Sequence, residues 1–142
     1  MSKIFISHAS QDNQAALSLR DWLLSNGFDE VFLDLDPETG IKAGDRWQET
    51  LLAACRDCEA VIFLISKNWL ESNWCLTEYL FTKNFGKRCL PVLIEDVTPE
   101  TIPDYLTAEH QIVNLVTDPT AYNRLKKGLE QAGIAAESFS LP

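Results

Sequence analysis

The sequence is short of positive charge: 12 Lys and Arg stand against 21 Asp and Glu, a formal net charge of -9. Nucleic-acid binding rests on cations that displace counterions from phosphates, and these are scattered apart from pairs such as Lys87-Arg88 and Lys126-Lys127. Nucleic acid is therefore not an expected partner. No stretch approaches the roughly 20 apolar residues that span a bilayer, so no membrane association is expected either. The opening MSKIFIS lacks a charged segment followed by a long apolar one, which excludes a signal peptide and points to a cytoplasmic protein or the soluble end of something larger. Four cysteines are present, without the pattern of a metal site. Cys55 and Cys58 form C-R-D-C without a second ligand pair, and neither histidine stands at a metal-ligand spacing. No metal is expected, and Cys55, Cys58, Cys75 and Cys89 read as free thiols in or near the core.

Glycine is missing where two nucleotide folds need it. The segment SHASQDN after the first predicted strand holds none, which excludes both the Gly-x-Gly-x-x-Gly dinucleotide turn and the P-loop. A phosphoacceptor receiver needs an Asp ending strand three and a Lys ending strand five; strand three ends in Ser66-Lys67, and the lysine is absent. Asp34, Asp36 and Glu38 resemble the start of an EF-hand loop, but Gly40 comes one position late and Asp45 replaces the twelfth-position Glu. Ser66 has no positioned histidine, so a Ser-His hydrolase is a poor fit.

What is present fits one globular domain. The chain has 142 residues, 46% apolar and 23% charged, enough to bury a core and too apolar for disorder. KIFIS (3–7), EVFLD (30–34), EAVIFLIS (59–66), RCLPVLIED (88–96) and HQIVNLV (110–116) read as strands, with Pro91 placed at a strand beginning or a bulge. Helical patterns alternate with them. One runs through Ala16, Leu19, Trp22 and Leu23 to Asn26-Gly27, a second is RWQETLLAACRDC, a third carries Glu78, and a last one ends at Gly133. Apolar strands alternating with helices predict a flavodoxin-like α/β fold: a doubly wound five-stranded parallel sheet, order 2-1-3-4-5, with helices on both faces. Ligands of such sheets bind past the carboxyl ends of the strands where the order reverses, here between residues 7–13 and 66–74.

That crevice leads to Glu78. Read as one helix, SKNWLESNWCLTEYLFTKNF places Trp74, Glu78, Phe81 and Phe85 on one face. On spacing alone the aromatics are core and Glu78 is a capping or salt-bridging residue. A buried carboxylate among rings, however, must be paired, hydrated or neutral, and near a ligand crevice it marks a candidate catalytic group.

FISHASQDN, DPETGIKAGDRW, EAVIFLIS, SNWCLTEY and LPVLIED, in this order, resemble a Toll/interleukin-1 receptor (TIR) domain of the bacterial type, from Lys3 to about Gly133. The resemblance assigns 1–135 to the TIR domain and 136–142 to a linker stub or tail. It implies one of two jobs: cleavage of NAD+ at the nicotinamide–ribose bond, or non-catalytic TIR–TIR assembly in signalling. The loop DPETGIKAGDRW and the aromatics Trp47 and Trp74 favour the enzyme, an NADase effector of a defence protein. NAD+ is then the substrate and no cofactor is needed. By resemblance Glu78 is catalytic, and Ser7, His8, Ser10, Phe32, Trp47, Ser66 and Trp74 line the NAD+ cleft. The loop with Asp36, Pro37, Gly40 and Gly44 would mediate self-association with other TIR domains, under control of a fused sensor.

Overall fold

The computed structural model describes residues 4–28, 30–33, 53, 55–97, 99–107 and 112–134, without the side chains of 74 and 99. The predicted helix RWQETLLAACRDC lies outside the described residues except for its end, where 55–57 are helical; the tail 136–142 lies outside them too.

Five parallel strands form one sheet: β1 (Ile4–Ser7), β2 (Val31–Leu33), β3 (Ala60–Ile65), β4 (Arg88–Leu93) and β5 (Val113–Asn114). Their order, β2-β1-β3-β4-β5, is the predicted one. All six residues of β3 are buried, as a central strand covered on both faces requires. The pleat splits the core in two. Ile4, Ile6, Ile62, Leu64 and Val92 face α1 (Asn13–Ser25) and α5 (Ala121–Gln131). Phe5, Val61, Phe63, Ile65 and Leu93 face α2 (Lys67–Glu71), α3 (Asn73–Asn84) and the short α4 (Asp104–Thr107). Each fully buried Leu, Ile or Phe stabilises the fold by about 1.5–3 kcal/mol through apolar burial alone. Gly27 and Gly133 stop α1 and α5 at positive φ, +90° and +87°, where a side chain would be strained. The following residues close the turns, Phe28 N–H donating to Leu23 O and Ile134 N–H to Leu129 O.

Three local expectations are corrected. The run 66–85 is not one helix. Ser72 is extended (φ -90°, ψ 119°) and its side chain accepts from Cys75 N–H, so a second helix starts there. Ser66 does the same for α2 by accepting from Trp69 N–H. Two serine caps three residues ahead of their donors override the continuous pattern.

Pro91 sits in the middle of β4 with no bulge, in an unbroken register from Ala60↔Arg88 to Ile65↔Leu93. Arg88 and Ile94 donate their N–H groups toward the β3 side, so the odd-numbered Pro91 directs its nitrogen toward β5. β5 begins only opposite Val92, so the missing donor breaks no ladder bond.

β5 is Val113–Asn114: of the seven residues expected, 110 and 111 lie outside the described residues, and Ile112, Leu115 and Val116 are not strand. Asn114 Oδ1 accepts from the N–H groups of Val116 and Thr117 and folds the chain into a turn. β3 and β4 are shorter than predicted by two and three residues and β2 starts one residue late, while Lys3 and Asp34, the predicted outer ends of β1 and β2, lie outside the described residues.

Candidate functional site

The carboxyl ends of β1 and β3, where the crevice is expected, bring Ser7, Ser66, Trp69 and Glu78 together. Ser7 closes β1 and is 1% exposed. Its hydroxyl donates to Glu78 Oε1 at 2.6 Å, and Trp69 Nε1–H donates to Ser7 Oγ at 3.2 Å. A hydroxyl has one proton, so the direction is settled: Ser7 gives it to the carboxylate and accepts from the indole. Glu78 is 2% exposed, with one oxygen fixed across 71 residues of sequence. Its backbone carbonyl also accepts from Thr82 Oγ1–H at 2.8 Å.

A second tie joins the same two walls. Ser66 Oγ–H donates to Asp12 Oδ2 at 2.5 Å, while Ser66 Oγ accepts from Trp69 N–H at 3.1 Å. Asp12 ends the 3-10 turn Ser10–Asp12 and precedes α1, yet its carboxylate is engaged by Ser66 at the end of β3. Trp69 thus sits at the junction: its backbone meets Ser66, its ring meets Ser7, and its edge packs against Phe63 at 5.8 Å and 73°. Phe63 meets Tyr79 in the same way, at 5.4 Å and 65°. Trp69 and Asp12 lie inside the segments expected to form the crevice but were not singled out. The signal for Trp69 was its place three residues after a serine that could cap a helix.

The buried face of α3 also differs from the expected stripe. Cys75, Glu78, Tyr79 and Thr82, at steps i, i+3, i+4 and i+7, are buried, whereas Phe81 and Phe85 are partly buried at the margin. Glu78 belongs to both sets. The side chain of Trp74 lies outside the described ones, as do Trp47 and the loop residues Asp36, Pro37, Gly40 and Gly44.

Of the other expected site residues, the structure brings Ser7 directly to Glu78 and Ser66 to it through Trp69. Phe32 is half-buried on β2, its ring 5.3 Å from that of Phe5, on the same sheet face as α3. His8 is 2% exposed and its Nε2–H donates to Asn13 Oδ1 at 2.6 Å, which braces the loop against the start of α1. Ser10 is partly exposed, and its hydroxyl reaches Gln11 at 3.4 Å. A cavity of about 510 Å³ lined by Lys67, Leu70, Glu71, Asp96, Val97 and Thr101 opens beside α2, and among the described residues none of the expected site residues lines it. Among the described residues no group of His, Cys, Asp and Glu has the makings of a metal site, and no helix is long and apolar enough to cross a membrane.

All four cysteines are buried free thiols. Burial pushes the Cys55 thiol up to about 12, against a lowering hydrogen bond from Thr82 and with help from the nearby Glu78 carboxylate. Burial likewise pushes Cys58 up to about 11, with Lys87 opposing. An unfolded thiol titrates near 9.0, so above that pH the folded chain holds protons that the unfolded chain has lost. The stability linked to these thiols is complete below about pH 9 and is lost as pH rises through 11 and 12. Urea midpoints measured across this range are expected to fall. A Cys55→Ala variant should show a shallower fall, and an equal slope would assign the loss to other groups.

Residues 4–133 match the family model described as the TIR domain. The chain is 26% identical over 132 residues to the "Probable 2' cyclic ADP-D-ribose synthase BdTIR" of Brachypodium distachyon. That match covers 92% of this chain and 55% of the plant protein, so the chain spans about half the length of the curated relative. In three dimensions it is similar to the TIR domain of the Toll-related receptor TRR-2 from Hydra magnipapillata, with a TM-score of 0.74 at 15% identity, covering 92% of this chain and 99% of the other. It is also similar to the TIR domains of the activated Roq1 resistosome that recognises the pathogen effector XopQ, with a TM-score of 0.56 at 24% identity, covering 96% and 86%. At these identities the structural likeness speaks for the fold.

Proposed function

The chain belongs to the TIR domain family, and we propose that it is an NAD+-cleaving enzyme with Glu78 as its catalytic carboxylate. The observation that carries this reading is the fixed, buried carboxylate at the strand ends: Glu78 held by the Ser7 hydroxyl, itself held by Trp69. The relationship to a probable cyclic ADP-D-ribose synthase supports it from outside.

The chemistry needs little else. Breaking the bond from the nicotinamide nitrogen to the ribose anomeric carbon leaves the electron pair on nitrogen, so nicotinamide departs neutral and no general acid is required. Positive charge develops on the ribose, as in glycoside hydrolysis, and one carboxylate can stabilise it. Water attacking that carbon gives ADP-ribose and a proton; an internal hydroxyl gives a cyclic product. Ser7 fixes the carboxylate's rotamer in advance. Trp74, one turn before Glu78 on α3, would offer its ring face to the cationic pyridinium. Ser66, His8, Ser10, Phe32 and Trp47 would shape the cleft around the nucleotide. The proposed setting is a defence effector whose monomers, each with a net charge of -9, repel one another until they are assembled.

Purified protein incubated with NAD+ is expected to release free nicotinamide, with specific activity that climbs as protein concentration or salt is raised. Specific activity independent of concentration would remove self-association from the account. No nicotinamide at any concentration would retire the enzyme and leave a TIR–TIR interaction module.

A further inference from the structure

The amino end of β4 and one face of α5 assemble a second site, at the opposite end of the sheet from Glu78. Arg124, Lys127, Gly128 and Gln131 recur at i, i+3, i+4 and i+7 along α5, so they share one face of the helix. That face lies over the start of β4, where Lys87 and Arg88 stand, and the two elements enclose a cavity of about 430 Å³. We propose that this cavity binds a phosphorylated small molecule with an apolar body, of the nucleoside diphosphate class.

Charge is the first ground. Acidic residues outnumber basic ones 21 to 12 in this chain, yet Lys87, Arg88, Arg124 and Lys127 line one cavity, and among the described residues that line it there is no carboxylate. A random draw from this composition would favour acids. Like charges brought together repel one another, and an anion relieves that repulsion.

The cations are also placed. Arg124 Nε is anchored by Asp118 Oδ2 at 3.1 Å and by Thr120 Oγ1 at 3.3 Å, which fixes its guanidinium at the rim. Arg88 Nη2 reaches Gln131 Oε1 at 3.5 Å. A planar guanidinium held through one nitrogen keeps further donors for phosphate oxygens, and the lysines add compact charges beside it.

The back wall is different in kind. Leu90 and Val113 are nearly buried and Ile112 is half-buried, so a ligand carrying only phosphate would leave this surface wet. The volume falls within the range of small-molecule pockets, roughly 300–1,000 Å³. Gly128 keeps the space between helix and strand: a Cβ built there would lie 3.1 Å from Leu90 Cδ2. A phosphate among the cations and an apolar body against Leu90, Ile112 and Val113 satisfy both walls at once.

The test is titration of the folded protein with ADP, followed by amide NMR. The expected result is saturable shifts at residues 87–90, 112–113 and 124–131. The Lys87→Glu/Lys127→Glu double variant should weaken binding by about tenfold or more, and so should a rise in salt past the screening regime. Glu78→Gln should leave this binding unchanged, which separates it from any occupancy of the crevice. Shifts confined to 7–13 and 66–78, or no saturable binding of ADP, would overturn the site. Equal affinity for inorganic pyrophosphate would overturn the apolar body.

Discussion

Glu78→Gln is expected to lower NAD+ cleavage by about 100- to 1,000-fold with a melting temperature close to that of the parent. Glutamine matches the volume of the glutamate, and its Oε1 can still accept from the Ser7 hydroxyl that holds Glu78 at 2.6 Å. What disappears is the charge that would face the developing cation. The same substitution has an internal control. Burial is the main cause that raises the Cys55 thiol and the Glu78 charge adds to it, so removing that charge should lower the pH at which thiolate absorbance of Cys55 appears. A Cys55 thiolate that appears at lower pH, together with undiminished nicotinamide release, would show that the charge is gone and was not needed.

Trp69→Ala is expected to destabilise the fold by about 3–5 kcal/mol, the range for deleting a buried aromatic. Trp69 is 1% exposed and joins both ties across the crevice, so part of that loss would come from Ser7 and Ser66 losing their partners' geometry. Trp69→Phe separates packing from hydrogen bonding. It keeps a ring against Phe63 and the backbone bond to Ser66, but withdraws the indole N–H from Ser7. A smaller loss of stability, about 1–3 kcal/mol, is expected, since a buried acceptor loses its donor. Nicotinamide release should fall more steeply than stability does, because an unbraced Ser7 no longer fixes the Glu78 rotamer. Denaturant unfolding and turnover measured on the same samples decide this. Activity that tracks the folded fraction alone would make Trp69 a core residue and nothing more.

The topology was legible because each strand and helix declares itself by its own periodicity, and right-handed crossovers leave few ways to arrange them. Glu78 was legible too, as a carboxylate in an apolar run near the switch point. The faces around it were harder to read. Weight given to aromatics selected Trp74, Phe81 and Phe85, while the face that is buried runs through Cys75, Tyr79 and Thr82, whose small or mixed side chains carry a weaker hydropathy signal. The helix break at Ser72 was hidden because the residues on both sides favour helix; only the cap geometry separates them. Trp69 and Asp12 escaped notice because their roles are tertiary. Each is defined by a partner more than 50 residues away, and no local pattern announces such a bond. Pro91 misled for a related reason: whether a proline harms a strand depends on which neighbour its nitrogen faces.

The strand lengths have a further consequence. Among the described residues both rims of the sheet are its shortest strands, three residues in β2 and two in β5, while β3 and β4 inside have six each. A rim of unpaired N–H and C=O groups is a template on which another chain can add a strand, and length is what makes the template grip. Here two or three residues leave too few backbone bonds to hold an incoming strand in register. The six-residue apolar strands that could recruit one are shielded between neighbours. Copies of this domain can therefore be crowded together, as the proposed assembly requires, without their sheets fusing edge to edge. Whatever joins them must be made from side chains and loops, and such a joint can come apart again.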